Sequence, residues 1–246
     1  MSEKVGLPVP VTEHPYWRVN IRPEVYNPRA IPSRRDCLRL VEKNAVRFRG
    51  WDYPHLSHRP EEQSRGNSWV GSWASFSGHN EYWRLYQSAQ FIHLFSVRES
   101  TQPAWRQQLQ SEMEAHLSHY PDIAWDSIPG FLDILNTIYC VSEVVEFAAR
   151  LAQSGAYTGR IELTVELHGV RDFVLSAPWQ RAWSEFYQAS EDTLGNTWHL
   201  AVADLLADTV RPTLDIVMWL FEGFGWMDPP VEVLKKDIEG YRTGSR

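Results

Sequence analysis

Gly159-Arg160-Ile161-Glu162-Leu163-Thr164-Val165-Glu166-Leu167-His168 alternates without a break. In an extended chain Ile161, Leu163, Val165 and Leu167 fall on one face, and Glu162, Thr164, Glu166 and His168 on the other. A period of two with one polar face marks a strand covered on one side only, as antiparallel sheets allow. A strand of a doubly wound parallel sheet would read as a continuous apolar run instead. Gly169 turns the chain, and residues 170–175 are expected to pair back as a central hairpin.

Upstream, residues 16–21 read as a strand that stops at Pro23. Ser33, with Asp36 three residues on, is placed to cap a helix over 34–43 whose inward residues are Cys37, Leu38 and Val41. Residues 45–51 alternate as a further strand, 55–67 read as a loop, and 68–97 mix aromatic and β-branched residues with Gly and Ser in strand fashion. At Pro103 the period changes to that of a helix, with Trp105, Leu109, Met113, Leu117 and Tyr120 in register up to Pro121. Pro129-Gly130 opens a second helix, in which Val145 is a core position, and Gly155 ends it. Residues 193–210 are expected to be helical, as are the segments after Pro212 and Pro229-Pro230. The resulting fold class is α+β: a mostly antiparallel sheet from the N-terminal half plus the central hairpin, packed against C-terminal helices. Residues 1–15, with three prolines and no period, are expected to be a flexible tail. Residues 16–246 then form one domain, β-rich over 16–100 and helix-rich over 101–246.

Three stretches together resemble a known region. They are Tyr16-Trp17-Arg18-Val19-Asn20-Ile21-Arg22-Pro23, Arg49-Gly50-Trp51-Asp52-Tyr53-Pro54-His55, and Trp83-Arg84-Leu85-Tyr86-Gln87-Ser88-Ala89-Gln90-Phe91-Ile92-His93, with Phe224-Gly225-Trp226 near the end. The pattern looks like the region that often follows Schlafen/Alba-type DNA-binding domains in bacterial proteins, here expected to stand alone. Where that region usually has Gly before the Gln-Phe pair, this chain has Ala89. The resemblance implies a bacterial accessory or sensing module and brings no catalytic residue with it.

Composition narrows the function classes. The 246 residues carry a formal charge of −7, with 43% hydrophobic and 22% charged residues, which excludes wholesale disorder and a polyanion-binding surface over the whole molecule. Charge is uneven: residues 1–65 are net +4 and residues 66–246 net −11. Cys37 and Cys140 are too few for a disulfide framework, and no secretory signal opens the sequence, so a reducing cytoplasm is expected. The most apolar stretch, 214–221, contains Asp215 and is too short to span a bilayer. Twelve Trp point to an aromatic core or to stacking surfaces.

Motifs for nucleotide phosphates and for a nucleophile elbow are missing: Gly66-Asn67-Ser68-Trp69-Val70-Gly71 has one residue too many. Glu112, His116 and His119 would lie within about 60° on one helix face and could ligate zinc for a metal-dependent hydrolase. They flank an apolar stripe, where polar boundary residues normally sit, so no metal or other cofactor is expected. His55 and His58 beside Glu61 and Glu62 are a looser set of the same kind. Glu162 and Glu166 stand at a spacing that acid–base chemistry could use, though alternating Glu on a strand more often solubilises a face.

The best binding candidates are basic and aromatic. Arg35, Arg39 and Lys43 make a stripe along the first helix, and Arg47 and Arg49 follow, with Trp51 and Tyr53 available for stacking. Such a face suits phosphates, and equally the acidic remainder of this chain or an acidic partner. The reading that follows is a non-enzymatic, cytoplasmic accessory or sensor module that binds a protein or small ligand. Nucleic-acid binding through the Arg stripe is the alternative and the hydrolase a second one, and no membrane is expected to be involved.

Overall fold

The computed structural model describes residue 7 and residues 9–244. Its organising element is β1 (Tyr16–Pro23), whose Trp17, Val19 and Ile21 are buried while Tyr16, Arg18 and Asn20 face the other way. β1 lies inside a seven-stranded sheet rather than at its edge. With β2 (Gln63–Arg65), β3 (Trp69–Phe76), β4 (His79–Tyr86), β5 (Phe91–Ser96), β7 (Arg160–His168) and β9 (Thr193–Ala201), the order is β2-β3-β4-β5-β1-β7-β9, every neighbour antiparallel. The α+β class read from the sequence is therefore the fold.

The covered face of the sheet carries Leu85, Phe91, Leu163 and Val165, and these share one core with the helices. They are α1 (Arg34–Asn44), α4 (Ile134–Gln153), α5 (Val202–Ala207), α6 (Val210–Glu222) and α7 (Val231–Thr243). Val145 and Leu163, one on α4 and one on β7, are both fully buried in that core. α2 (Arg98–Thr101) and α3 (Pro103–His116) lead from β5 to α4. Leu109, Met113 and Leu117 pack there with Ile128 and Phe131 in a smaller cluster. On the opposite face of the sheet, Arg18 pairs with Glu166 and Arg22 with Glu162, and the Thr164 and Thr197 hydroxyls meet at 2.8 Å. The two glutamates thus serve cross-strand ion pairs.

Local chemistry sets the helix starts. Ser33 caps α1 by accepting from the Asp36 N–H at 3.2 Å, while its hydroxyl donates to Asp36 Oδ2 at 2.6 Å. α4 begins four residues after the expected Pro129-Gly130. Asp133 caps it, accepting from Asn136 N–H at 2.6 Å, and the preceding residues form the strand β6 (Phe131–Asp133). Gly130 is spent on a close approach instead: a Cβ there would stand 2.3 Å from the Phe173 ring.

Other expectations are corrected. The hairpin partner of β7 is not residues 170–175. β8 (Val174–Ser176) pairs in parallel with β6, and β7 pairs with β9, a strand where a helix was expected. Residues 193–198 include Gly195, Asn196 and two threonines, all poor helix formers, and a Cβ on Gly195 would crowd Glu166 across the ladder. The strand expected over 45–51 reduces to a single bridge between Val46 and Tyr53 around a turn at Gly50. The expected loop over 55–67 contains β2 and a short 3₁₀ turn, Pro60–Glu62. α3 ends at His116, before Tyr120. Of the expected tail, residues 1–6 and 8 lie outside the described residues. Val9 and Val11 are buried against Tyr82, because apolar side chains there find the open face of β4 and β5.

Candidate functional site

The turn between Val46 and Tyr53 throws Arg49 toward α4. Its guanidinium donates to both Glu143 carboxylate oxygens and, at 3.0 Å, to Asn136 Oδ1. Tyr241 of α7 donates to Glu143 Oε1 at 3.0 Å. This buried pair fixes one wall of a cleft of about 60 Å³ at the end of the sheet. Loop residues Arg49, Trp51, Tyr53 and His55 meet His79 and Glu81 of β4, His93 and Phe95 of β5, and Arg98 of α2 there. The Tyr53–Pro54 peptide is cis.

Strand alternation delivers the histidine. Phe91, His93 and Phe95 share the inward face of β5, so His93 is wholly enclosed. Burial pushes its imidazole down to about 4, against the pull of Glu81, and it stays neutral near neutral pH. His93 Nδ1 lies 3.2 Å from the Tyr53 hydroxyl, and its Nε2 has no hydrogen-bond partner among the described residues, with Glu81 Oε2 3.9 Å away. Donation by Tyr53 to Nδ1 leaves the ring proton on Nε2, facing a carboxylate rather than setting lone pair against lone pair. Burial raises the Tyr53 hydroxyl well above its ordinary range and keeps that donor protonated.

Glu81 is buried and well supplied. It accepts from the His55 N–H at 2.7 Å and from His79 Nε2 at 2.7 Å. Burial drives its carboxyl up, but the His79 hydrogen bond and the electrostatic pull of the neighbouring histidines outweigh that and hold it below the usual range. Beside the cleft, Glu99 accepts from Asn136 Nδ2 at 2.9 Å and from the Asp133 N–H at 3.3 Å. Burial, then the Glu99 charge, raises Asp133 to about 7, and burial raises Glu99 as well.

Arg98 differs from Arg49. It forms no ion pair and donates no side-chain hydrogen bond among the described residues, and its Nε is buried without a partner. Two indoles hold it instead: its guanidinium carbon is 5.4 Å from the Trp51 ring centroid and 5.6 Å from that of Trp105. Burial and then the Arg49 charge pull it below its ordinary range. Trp51, 45% exposed, and Phe76, 47% exposed, form the rim.

The expected binding residues divide into three groups. Arg49, Trp51 and Tyr53 line the cleft. Arg47 is turned away from it and pairs with Asp52 at 2.5 Å. Arg35, Arg39 and Lys43 are exposed along α1; Arg39 has Asp36 of its own helix at 4.0 Å, and Arg35 and Lys43 have no ion pair among the described residues. Arg34, Arg35 and Arg65 share a groove of about 900 Å³ between α1 and the β2 edge.

The zinc candidates are not brought together. His119 lies beyond the end of α3, so the helical projection fails. His116 and His119 reach the carbonyls of Pro178 and Ser184, and Glu112 accepts from Gln108 at 2.9 Å. No group of three His, Cys, Asp or Glu side chains is placed to hold a metal among the described residues. Glu62 of the looser set accepts from Ser57 and Arg59. Both thiols are buried and pushed by burial up to about 12, which leaves them poor nucleophiles. No helix of the described residues is long and apolar enough to cross a membrane.

His79, Glu81, His93, Arg98 and Glu143 were not singled out from the sequence. A signal was present for two of them: His93 sits between inward phenylalanines, and Glu143 lies among the valines of the α4 apolar stripe. Compared with family models, with curated proteins and with solved structures, the chain finds no match.

Proposed function

We propose that this chain is a non-enzymatic, cytoplasmic accessory or sensor module that takes a small ligand into the cleft between the 49–55 loop and the β4–β5 end of the sheet. The observation that carries the reading is that three residues lining one small recess, His93, His79 and Arg98, each hold a buried side-chain nitrogen without a partner among the described residues. Leaving such atoms unsatisfied costs roughly 1–3 kcal/mol each, a cost that a merely structural end of a sheet has no reason to carry. Among the described residues the lining contains no Ser, Thr, Cys or Lys, and its most enclosed imidazole takes a proton only near pH 4. Both features suit recognition better than nucleophilic or acid–base chemistry. The resemblance to a region beside DNA-binding domains fits a module whose role is to sense.

The test is a fragment screen by melting temperature with the full chain, using neutral, cationic and anionic compounds. Hits are expected to lose their effect in Trp51→Ala and to shift NMR signals of Trp51 and His93. Hits of every charge class that map elsewhere, or an empty screen, would remove the reading.

The second reading, nucleic-acid binding, is supported by the groove of Arg34, Arg35 and Arg65, where the exposed edge strand β2 meets α1. Arg34 there donates to the Gly66 carbonyl at 2.9 Å, so part of that basic edge is already engaged within the chain.

A further inference from the structure

The charges around the cleft do not cancel one by one. Arg49 pairs with Glu143 and Asp52 with Arg47, while Glu81 keeps its charge and accepts from the His55 N–H and from His79. His93 is neutral. Of the two lining arginines, Arg98 has neither a carboxylate nor a carbonyl on its guanidinium among the described residues. The Trp51 and Trp105 rings, 5.4 Å and 5.6 Å from its Cζ, use none of the hydrogen-bonding capacity of the guanidinium. A guanidinium carries parallel N–H donors, the geometry that two oxygens of one carboxylate accept.

Size and walls refine the ligand. A volume of about 60 Å³ holds on the order of five water-sized groups, enough for a carboxylate and a short stem but not for a nucleotide. Phe95 and Tyr53 supply apolar walls, and Trp51 and Phe76 extend them to the solvent. Large aromatic side chains at a rim with a cation behind them match an apolar body attached to a single anionic head. A single arginine without a carboxylate contact, with the ionised Glu81 elsewhere in the lining, favours a monoanionic carboxylate over a phosphate dianion. Glu81 on the β4 side opposes a second anionic group.

We propose that the cleft binds a small organic acid, its carboxylate on the Arg98 guanidinium and its apolar body against Trp51 and Phe76. The proposal rests on the small-ligand reading above and adds the chemical class. It is tested by ligand-observed NMR titration of the full chain with hexanoate, with its neutral counterpart hexanamide, and with inorganic phosphate.

Hexanoate is expected to bind at least about tenfold more tightly than hexanamide, a ratio of the size a charge-assisted pair provides. Arg98→Gln is expected to erase the ratio while hexanamide binding stays. Should Arg98→Gln melt below the assay temperature, Arg98→Lys is expected to keep the preference for the acid at lower affinity. Phe76→Ala is expected to weaken both compounds and preserve the ratio. Equal binding of hexanoate and hexanamide at Trp51 would overturn the carboxylate and leave the small-ligand reading standing. Arg98-dependent binding of phosphate without hexanoate would also overturn the carboxylate. If none of the three binds, the carboxylate proposal fails, and the wider fragment screen judges the cleft by itself.

Discussion

Arg49 and Glu143 pair inside the protein, the arginine side chain 13% exposed and the carboxylate fully buried. The two residues belong to a loop and to the middle of α4, so the pair fixes where the 49–55 loop rests on the helix layer. Glu143→Gln keeps the shape but leaves a guanidinium buried without its counter-charge and weakens the acceptor for Tyr241. Removing one partner of a buried pair costs roughly 3–5 kcal/mol. Urea denaturation of Glu143→Gln is expected to show a loss in that range. A loss below about 1 kcal/mol would mean that the loop is held by other contacts.

Asp133 and His93 give the stability opposite pH dependences. The carboxyl of Asp133 is raised from 3.8 to about 7, so its contribution is fully present below pH 3.8 and is lost as the pH rises through about 7. His93 is depressed from 6.5 to about 4, so its contribution is present above pH 6.5 and is lost as the pH falls through about 4. Asp133→Asn keeps a capping side chain on α4. It is expected to be more stable than the parent at pH 8, with the advantage gone by pH 4. His93→Gln is expected to flatten the acid limb between pH 6.5 and 4. Melting curves across this range check both, and an Asp133→Asn advantage that does not change with pH would contradict the shift.

Ala89 occupies the left-handed region at φ 63° and is fully buried in the turn that joins β4 to β5, where Tyr86 and Gln90 close the hairpin at 2.9 Å. A left-handed L-residue costs roughly 1–2 kcal/mol, and a β-branched one more. Ala89→Gly is expected to change stability by less than about 1 kcal/mol, since relief of strain offsets the lost methyl. Ala89→Val is expected to lose more than about 2 kcal/mol. Equal melting temperatures for the two variants would show that the backbone there is free to adjust.

Arg35, Arg39 and Lys43 present their charge to solvent. The triple change Arg35→Ala, Arg39→Ala, Lys43→Ala is expected to leave the melting temperature within a few degrees, because among the described residues only Arg39 has a carboxylate nearby. If the basic edge reads phosphates, parent binding to single-stranded oligonucleotides falls with added salt, and each lost contact lowers the salt slope by about one unit. We expect no such binding. Salt-sensitive micromolar binding by the parent that disappears in the triple variant would move the functional reading from the cleft to the groove.

The sequence made the sheet legible wherever the two faces differ in chemistry. Residues 160–168 alternate because ion-pairing glutamates face outward and aliphatic residues face the core, and period and burial agree there. Legibility failed where a strand has weak contrast. In 193–201 the outward residues are small and polar and the inward ones few, so the segment was read as the start of a helix. The site was half visible. Arg49, Trp51 and Tyr53 belong to one short segment and could be picked out together. Their partners come from β4, β5, α2 and α4, and only the long-range strand order brings those elements to one place.

β1 has β5 on one side and β7 on the other, although β5 ends at Ser96 and β7 begins only at Arg160. During synthesis the first five strands in spatial order, β2 to β1, can assemble before β7 leaves the ribosome. For that interval β1 is a bare edge, with an unpaired row of backbone donors and acceptors beside Trp17, Val19 and Ile21. Nascent chains that end between β5 and β7 therefore expose an edge that the finished sheet does not have. Delivery of Ile161 to Leu167 closes the edge that any other extended chain could take.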